Sequence, residues 1–315
     1  MRTFNKMILL GAAVVPISIA ALGQGAAQQE GTPISVAVTV LGRDRKAPPV
    51  IPQDEVVARQ DGDVRRVISW VPASGGDVGI DLIVLIDDTL ATSIASRWGE
   101  LQDFLRSQAA NMREGIAYTS FGSPRIDHEL TDDLDKAAKA LRLPSSNPGE
   151  NSAIYDAARK LIKKWPASKN RKVILAISNG LDFSNGTGDT DPNRNMSLQS
   201  LIEQAQQDGV VFYAIYARGA GDGQSGKTNL VSNGQGCLSR LTKETGGDSF
   251  SAGLTTPVSL LPFLQSIGGL LRHQYILTFA AKSGAKAKYS RLQIVLENKD
   301  VDIVAPERVY VPGSK

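Results

Sequence analysis

Residues Gly221 to Thr228 read "GDGQSGKT" and fit the phosphate-cradling pattern G-x-x-x-x-G-K-[ST] at every position. The chemistry would be nucleotide binding, with backbone amides and a helix start holding phosphate and the lysine reaching it. That chemistry needs a strand feeding the glycines and a helix opening at the Lys-Thr end. The strand side is served by "VVFYAIYA", which ends at Ala217. On the helix side, Thr228 is followed by "NLVSNGQG", where Asn229, Asn233, Gly234 and Gly236 argue against helical turns, and the next helix is predicted only from Cys237. The expectation is a flexible surface loop and no nucleotide.

Three other stretches are rich in side-chain oxygen. They are "LIDDTLATS" (Asp87, Asp88, Thr89, Thr92, Ser93), "NPGENSAIYDA" (Glu150, Asn151, Ser152) and "AISNGLDFSN" (Ser178, Asn179, Asp182, Ser184). The first and third end apolar runs that read as strands, and the second opens a helix. In open parallel sheets, ligands bind in the crevice beyond the carboxyl ends of the strands. Weaker signals are set aside. "GDTDPNRN" (Asp189, Asp191, Asn193) has Arg194 where a calcium loop needs glycine and Ser200 where it closes with Glu, so it reads as a solvated loop. The only histidines, His128 and His273, have no patterned hydroxyl or thiol beside them, so no catalytic group is expected. Cys237 is the one cysteine; it cannot form an internal disulfide and reads as a small, half-buried residue.

The elements that must position these groups alternate. "GIDLIVLIDD", "GIAYTSFG", "RKVILAISNG", "VVFYAIYA" and "DSFSA" read as strands, with "GIDLIVLIDD" buried on both faces, "RKVILAISNG" a second buried strand and "VVFYAIYA" a third central one. Between and after them "SIASRWGELQDFLRSQAANM", "DDLDKAAKALRL", "SAIYDAARKLIKKW", "SLQSLIEQAQQDG", "CLSRLTKETGG" and "VSLLPFLQSIGGLLRH" read as helices, the last interrupted by Pro262. Ser152 suits the start of its helix as a cap. The alternation predicts an α/β fold, a doubly wound and mostly parallel sheet, over residues 78–272. The flanks are strand-only: "ISVAVTVLG", a short strand near Val56–Ala58, an Asp61-Gly62 hairpin turn and Val64–Trp70 before it, and "YILTFAA", "SRLQIVLEN" and "VDIVAPERVYV" after it. Residues 28–75 and 273–315 are expected to pair into one small β unit.

The chain opens with Arg2 and Lys6, an apolar run from Met7 to Leu22 broken only by Ser18, and the small residues Gly25, Ala26 and Ala27. This order predicts a signal peptide, residues 1–27, cleaved after Ala27; retention as an anchor is the alternative. The mature chain is then expected in the periplasm or outside the cell, not spanning a membrane. The 35 basic side chains, less Arg2 and Lys6, nearly balance 32 acidic ones, which gives no case for nucleic acid.

Taken together, "LIVLIDDT", "ELTDDLDKAAKAL", "SAIYDAARKL", "ILAISNGLDFS", "LSRLTKETGGDSF" and "RHQYILTF" resemble, in order, the von Willebrand factor A (VWFA) domain, most closely the secreted VWFA-related proteins of acidobacteria. The resemblance implies protein binding or adhesion without catalysis, through a metal-ion-dependent site. There an Asp-x-Ser-x-Ser loop, a Thr and a final Asp surround a divalent cation, usually magnesium, which a partner's acidic group completes. Carried over, Asp87 matches the first Asp, Thr89 the first Ser, and Ser152 the Thr. Ala91 falls where the second Ser belongs, and Asn179 where the final Asp belongs, so the site is degenerate. Thr92 or Ser93 could supply the missing hydroxyl, and Asp88 or Asp182 the missing charge. The alternative is a metal-free scaffold domain of a larger assembly; a phosphate-loop nucleotide hydrolase ranks below both. The partner protein or surface ligand is not named by the sequence.

Overall fold

The computed structural model describes residues 31–43, 48–73, 78–120, 123–145, 152–182, 190–220 and 228–314. Residues 1–27, expected to be a signal peptide, and residues 183–189 and 221–227 therefore lie outside the described residues. Gly31–Lys315 form one compact unit.

Strand β5 (Ile80–Ile86, IDLIVLI) is buried at every position. A strand can be apolar throughout only if both of its faces are covered, and here they are. Leu82, Val84 and Ile86 face one core with Trp98, Leu101 and Leu105 of α1 (Trp98–Arg106) and Leu264 and Ile267 of α6 (Leu261–Arg272). Ile83 and Leu85 face the other core, with Ile154 and Leu161 of α3 (Ile154–Lys163), Leu198 and Leu201 of α4 (Met196–Asp208), and Cys237 and Leu241 of α5 (Thr228–Thr245). The period-two split of one strand between two helical layers defines an α/β/α sandwich.

Its sheet also contains β6 (Met112–Ser120), β7 (Ser123–Thr131), β8 (Arg171–Ser178), β9 (Val210–Tyr216) and β10 (Ser249–Phe250). The spatial order is β10-β9-β8-β5-β6-β7, parallel except for β7, which runs antiparallel on the β6 edge. The chain winds one way from β5 to β7 and then the other way from β8 to β10. The winding reverses between β5 and β8, which places the switch point of the doubly wound sheet at their carboxyl ends.

The remaining strands form two four-stranded sheets over a shared core that includes Val38, Trp70, Leu277, Phe279, Leu292 and Val309. One has β13 (Val301–Val304), β1 (Thr32–Gly42), β11 (Gln274–Ala281) and β4 (Val67–Pro72); the other has β14 (Arg308–Val311), β12 (Lys288–Leu296), β2 (Val56–Gln60) and β3 (Asp63–Arg65). β1 pairs antiparallel with β11 from Thr32↔Ala281 to Thr39↔Gln274. The β2–β3 hairpin turns at Asp61 and Gly62, with φ of 51° and 92°. Positive φ at both central residues is what a two-residue loop needs to match strand twist.

Four local expectations change. The Val64–Trp70 run is broken at Arg66, and its halves join different sheets. The segment holding His128 is strand β7, missed because a polar edge strand carries no clean alternation. Pro262 does not interrupt α6 but sits in its first turn, where its missing N–H costs nothing; the Glu100 carboxylate accepts from the amides of Leu260 and Leu261 at 2.6 and 2.7 Å. Most consequentially, α5 begins at Thr228 and runs through the glycines that argued for a loop.

Candidate functional site at the carboxyl edge of the sheet

Asp87 follows the last residue of β5, and Ser178 is the last residue of β8, so the two flank the switch point. Backbone pairing holds the surrounding loops to the sheet. The Asp87 amide donates to Ile177 O (2.9 Å), Leu90 pairs with Gly219, and the Ala91 amide donates to Arg218 O (3.1 Å). Beyond β8 the chain turns at Gly180 (φ +69°), and Ala153 pairs with Asp182 across it. Tyr155 of α3 donates its hydroxyl to Gly180 O at 2.6 Å, fixing the turn from below.

Within this frame the Asp87 carboxylate is fully buried and ringed by donors. Oδ1 accepts from the Thr89 amide (3.1 Å), Thr89 Oγ1 (2.8 Å) and, at 3.4 Å, Thr119 Oγ1. Oδ2 accepts from Ser152 Oγ (2.7 Å) and Ser178 Oγ (2.8 Å). The structure thus brings Asp87, Thr89 and Ser152 together and adds Thr119 and Ser178. Ser152 does not cap α3. The N-cap position is Ala153, and the serine hydroxyl turns instead to Asp87.

The other sequence-picked residues serve different ends. Asn179 is buried, and its Oδ1 accepts from the Leu181 amide at 3.0 Å, closing a side-chain turn. Asp182 is buried in the Ala153 bridge. Asp88 points away from the Asp87 ring: both its oxygens take Arg142 in a two-pronged bond at 2.8 Å, and the Ser145 amide adds a third at 2.9 Å. Burial alone would raise the Asp88 carboxyl, but Arg142 and the Ser145 amide hold it below the usual range. The guanidinium also lies 3.7 Å over the Tyr118 ring, and its Nε donates to Asp127 at 2.6 Å. Thr92 and Ser93 are exposed, and neither bonds Asp87 among the described residues.

Thr119 and Arg142 escaped the sequence reading. Thr119 is the penultimate residue of β6 and follows from the strand-end rule once applied there; Arg142 lies in a loop with no pattern to flag it. Outside this region, His128 sits on the edge strand β7 with Nδ1 2.7 Å from Glu129 O, and His273 follows the end of α6. Cys237 is fully buried, not half-buried, and burial pushes its thiol up to about 11.

A hard divalent cation does not fit this arrangement. Such ions want several oxygen ligands, with carboxylates contributing charge and open positions left to water. Here one carboxylate is saturated by five donors, Asp88 is engaged by Arg142, Asn179 Oδ1 by an amide, and Ala91 has no oxygen to give. Among the described residues no group of three His, Cys, Asp or Glu side chains is placed to hold a metal.

The amino end of α5 lies against the same loops. A Cβ on Gly234 would stand 2.1 Å from Asn179 O, and one on Gly180 2.2 Å from Gly234 O, so helix and turn meet glycine to glycine. The stretch "NLVSNGQG" is glycine-bearing for close contact rather than to stop a helix. A strand does precede "GDGQSGKT" and a helix does open at its last residue, while residues 221–227 are outside the described set. Four residues, Ala217 to Ala220, separate β9 from its first glycine, and they are tied back by Ala217 N to Ser178 O (3.0 Å) and Ala220 N to Thr89 O (2.9 Å).

No protein-family model and no curated protein matches the chain. Solved structures do. An aerotolerance-related membrane protein from Bacteroides fragilis is 12% identical, covering 61% of this chain and 98% of its own at a TM-score of 0.43. The SpRpn10 VWA domain is 16% identical over 60% and 94%, at 0.41. The type V pili tip protein Mfa5 from Porphyromonas gingivalis is 13% identical over 86% and 68%, at 0.39. At these values the likeness concerns fold alone. The doubly wound strand order, the single antiparallel edge and the ring of oxygens at the switch point give residues 80–272 a VWFA-like fold.

Proposed function

We propose that this protein is an exported, non-enzymatic VWFA-like module that binds another protein or a surface ligand through the carboxyl rim of its sheet. The observation that carries this reading is the convergence on Asp87. Loops from β5, β6, β8 and the lead into α3 are pinned at one buried point, and the segment after β9 is tied to the same loops. A rigid frame presenting several loop tips on one edge is how binding surfaces are built on α/β sheets. Export is supported by the order of charge, apolar run and small residues in 1–27. Among the described residues, no helix is long and apolar enough to cross a membrane.

Position-specific photo-crosslinking tests the rim. A crosslinker at exposed Thr92 is expected to yield partner adducts, whereas one at exposed Lys169, at the opposite end of the sheet, is not. Equal yields from both positions, or none from Thr92, would sink the reading. Amino-terminal sequencing of the exported chain is expected to begin at Gln28.

Nucleotide hydrolysis is a second reading because α5 opens at Thr228. Against it stand the four tied residues between β9 and Gly221, where a phosphate loop runs directly from its strand. Binding of a labelled ATP analogue decides the matter, and none is expected.

A further inference from the structure

In the VWFA domains that the sequence resembles, rim loops surround a divalent cation, and this chain offers another way to tie such loops together. Five donors reach Asp87 from four segments: the loop after β5, the end of β6, the lead into α3 and the end of β8. An ionised carboxylate has about four lone-pair directions, so this set fills them. Two of the hydroxyls are themselves fixed from behind. Thr119 Oγ1 accepts from the Asp88 amide at 3.0 Å, and Ser178 Oγ from the Gly180 amide at 2.9 Å. Each hydroxyl has a single proton, and with an amide on the oxygen that proton is left to point at Asp87. The neighbouring charge, Asp88, is matched by a guanidinium within the same chain.

We infer that the rim is assembled without a divalent cation: hydroxyl bonds to the single buried carboxylate of Asp87 do the crosslinking of strand ends that an ion would do. The two substitutions relative to the family pattern are then complementary parts of one solution. Ala91 leaves no spare hydroxyl aimed at an ion, and Asn179 removes a charge that no cation is there to balance, while its amide oxygen still closes the turn onto Leu181. The inference holds whether or not the rim binds a partner, so its failure and that of the binding reading are separate events.

The test is thermal unfolding of the full chain in chelator, in magnesium and in manganese, with Ser178→Ala and Thr119→Ala beside it. The expected result is one midpoint in all three conditions for the natural chain, and a lower midpoint for Ser178→Ala even in chelator. A ligand that binds only the folded state raises the midpoint by several degrees once well above its dissociation constant. A saturable rise of that size with either metal, abolished by Asp87→Asn, would overturn the inference. So would unchanged midpoints for both hydroxyl variants in chelator, since the bonds would then hold nothing. The double variant Ala91→Ser/Asn179→Asp restores the family's ligands and keeps the acceptor for Leu181; it is expected to acquire a metal-dependent midpoint that the natural chain lacks.

Discussion

The two ends of β5 each bury a carboxylate completely, and they treat it in opposite ways. Asp81, one residue into the strand, takes a two-pronged bond from Arg113 at 2.8 and 2.7 Å, with Asn170 at 2.8 Å and Trp165 at 3.4 Å. Asp87, just past the other end, takes only hydroxyls and one amide. At the amino end one full charge answers another, and one long side chain does most of the work. At the carboxyl end the charge is answered by dipoles from four separate segments, so satisfying it also fixes where four loops begin. Glu114, on the neighbouring strand β6, is a third case. It is fully buried, neither oxygen has a hydrogen-bond partner among the described residues, and it lies on the face shared by Met112 and Ile116. The difference between the carboxylates is thus one of what each is tied to.

The sharpest way to break the comparison is to remove the guanidinium. Arg113→Met leaves Asp81 buried and uncompensated, and a loss of about 3 kcal/mol is expected by chemical denaturation. Burial pushes the Asp81 carboxyl up, but Arg113, Asn170 and Ser168 hold it below its ordinary value. A carboxyl depressed in the folded state contributes stability that is present above its unfolded pKa and lost as pH falls through the folded one. Arg113→Met should therefore flatten the acid side of the stability curve.

Glu114 predicts the opposite slope. Burial raises its pKa from 4.5 to about 9. A raised group contributes stability that is whole below the unfolded pKa and is lost as pH climbs toward the folded one. At about 1.4 kcal/mol per unit, that is about 3 kcal/mol by neutral pH. Glu114→Gln keeps the shape and removes the titration. It is expected to be more stable than the natural chain at neutral pH by up to that amount, and no more stable near pH 4. A parallel pair of curves would show that Glu114 finds a partner on charging.

At the carboxyl end the effects are smaller and shared. Ser178→Ala removes one charge-assisted bond together with the acceptor of the Gly180 amide and should cost about 2 kcal/mol, whereas Thr119→Ala, losing a 3.4 Å bond to Asp87 and the acceptor of the Asp88 amide, should cost about 1 kcal/mol. Their double-variant cycle should show coupling, since both bond one carboxylate. Strict additivity would mean that the ring is a set of independent contacts.

Much of the frame was legible in the sequence because burial leaves a mark. β5 and β8 read as two-sided apolar runs, the Asp61-Gly62 hairpin turns where its residues allow, and α4 ends at a left-handed Gly209. What was not legible depended on contacts across the fold. Gly234 and Gly236 looked like helix breakers, yet a Cβ at each would meet Asn179 O at 2.1 Å or Pro192 at 2.8 Å. Ser152 looked like a cap, yet a carboxylate 65 residues away claims its hydroxyl. Of the site, the strand ends pointed to Asp87, Thr89 and Ser178, but no spacing announces that Arg142 will reach back to Asp88.

The pairing of β1 with β11, described above as a register of residues, is also a schedule. β1 ends at Gly42, and its partner does not begin until Gln274. At about 5–20 residues per second, a ribosome takes on the order of tens of seconds to make what lies between. For that interval the first strand has a backbone ready to pair and nothing native to pair with, while β4 waits for the same late partner. The α/β body can close as its own strands emerge, but β1, made well before it, is among the last strands to be settled. A chain bound for export would pass through its translocating machinery with that early strand still unclaimed.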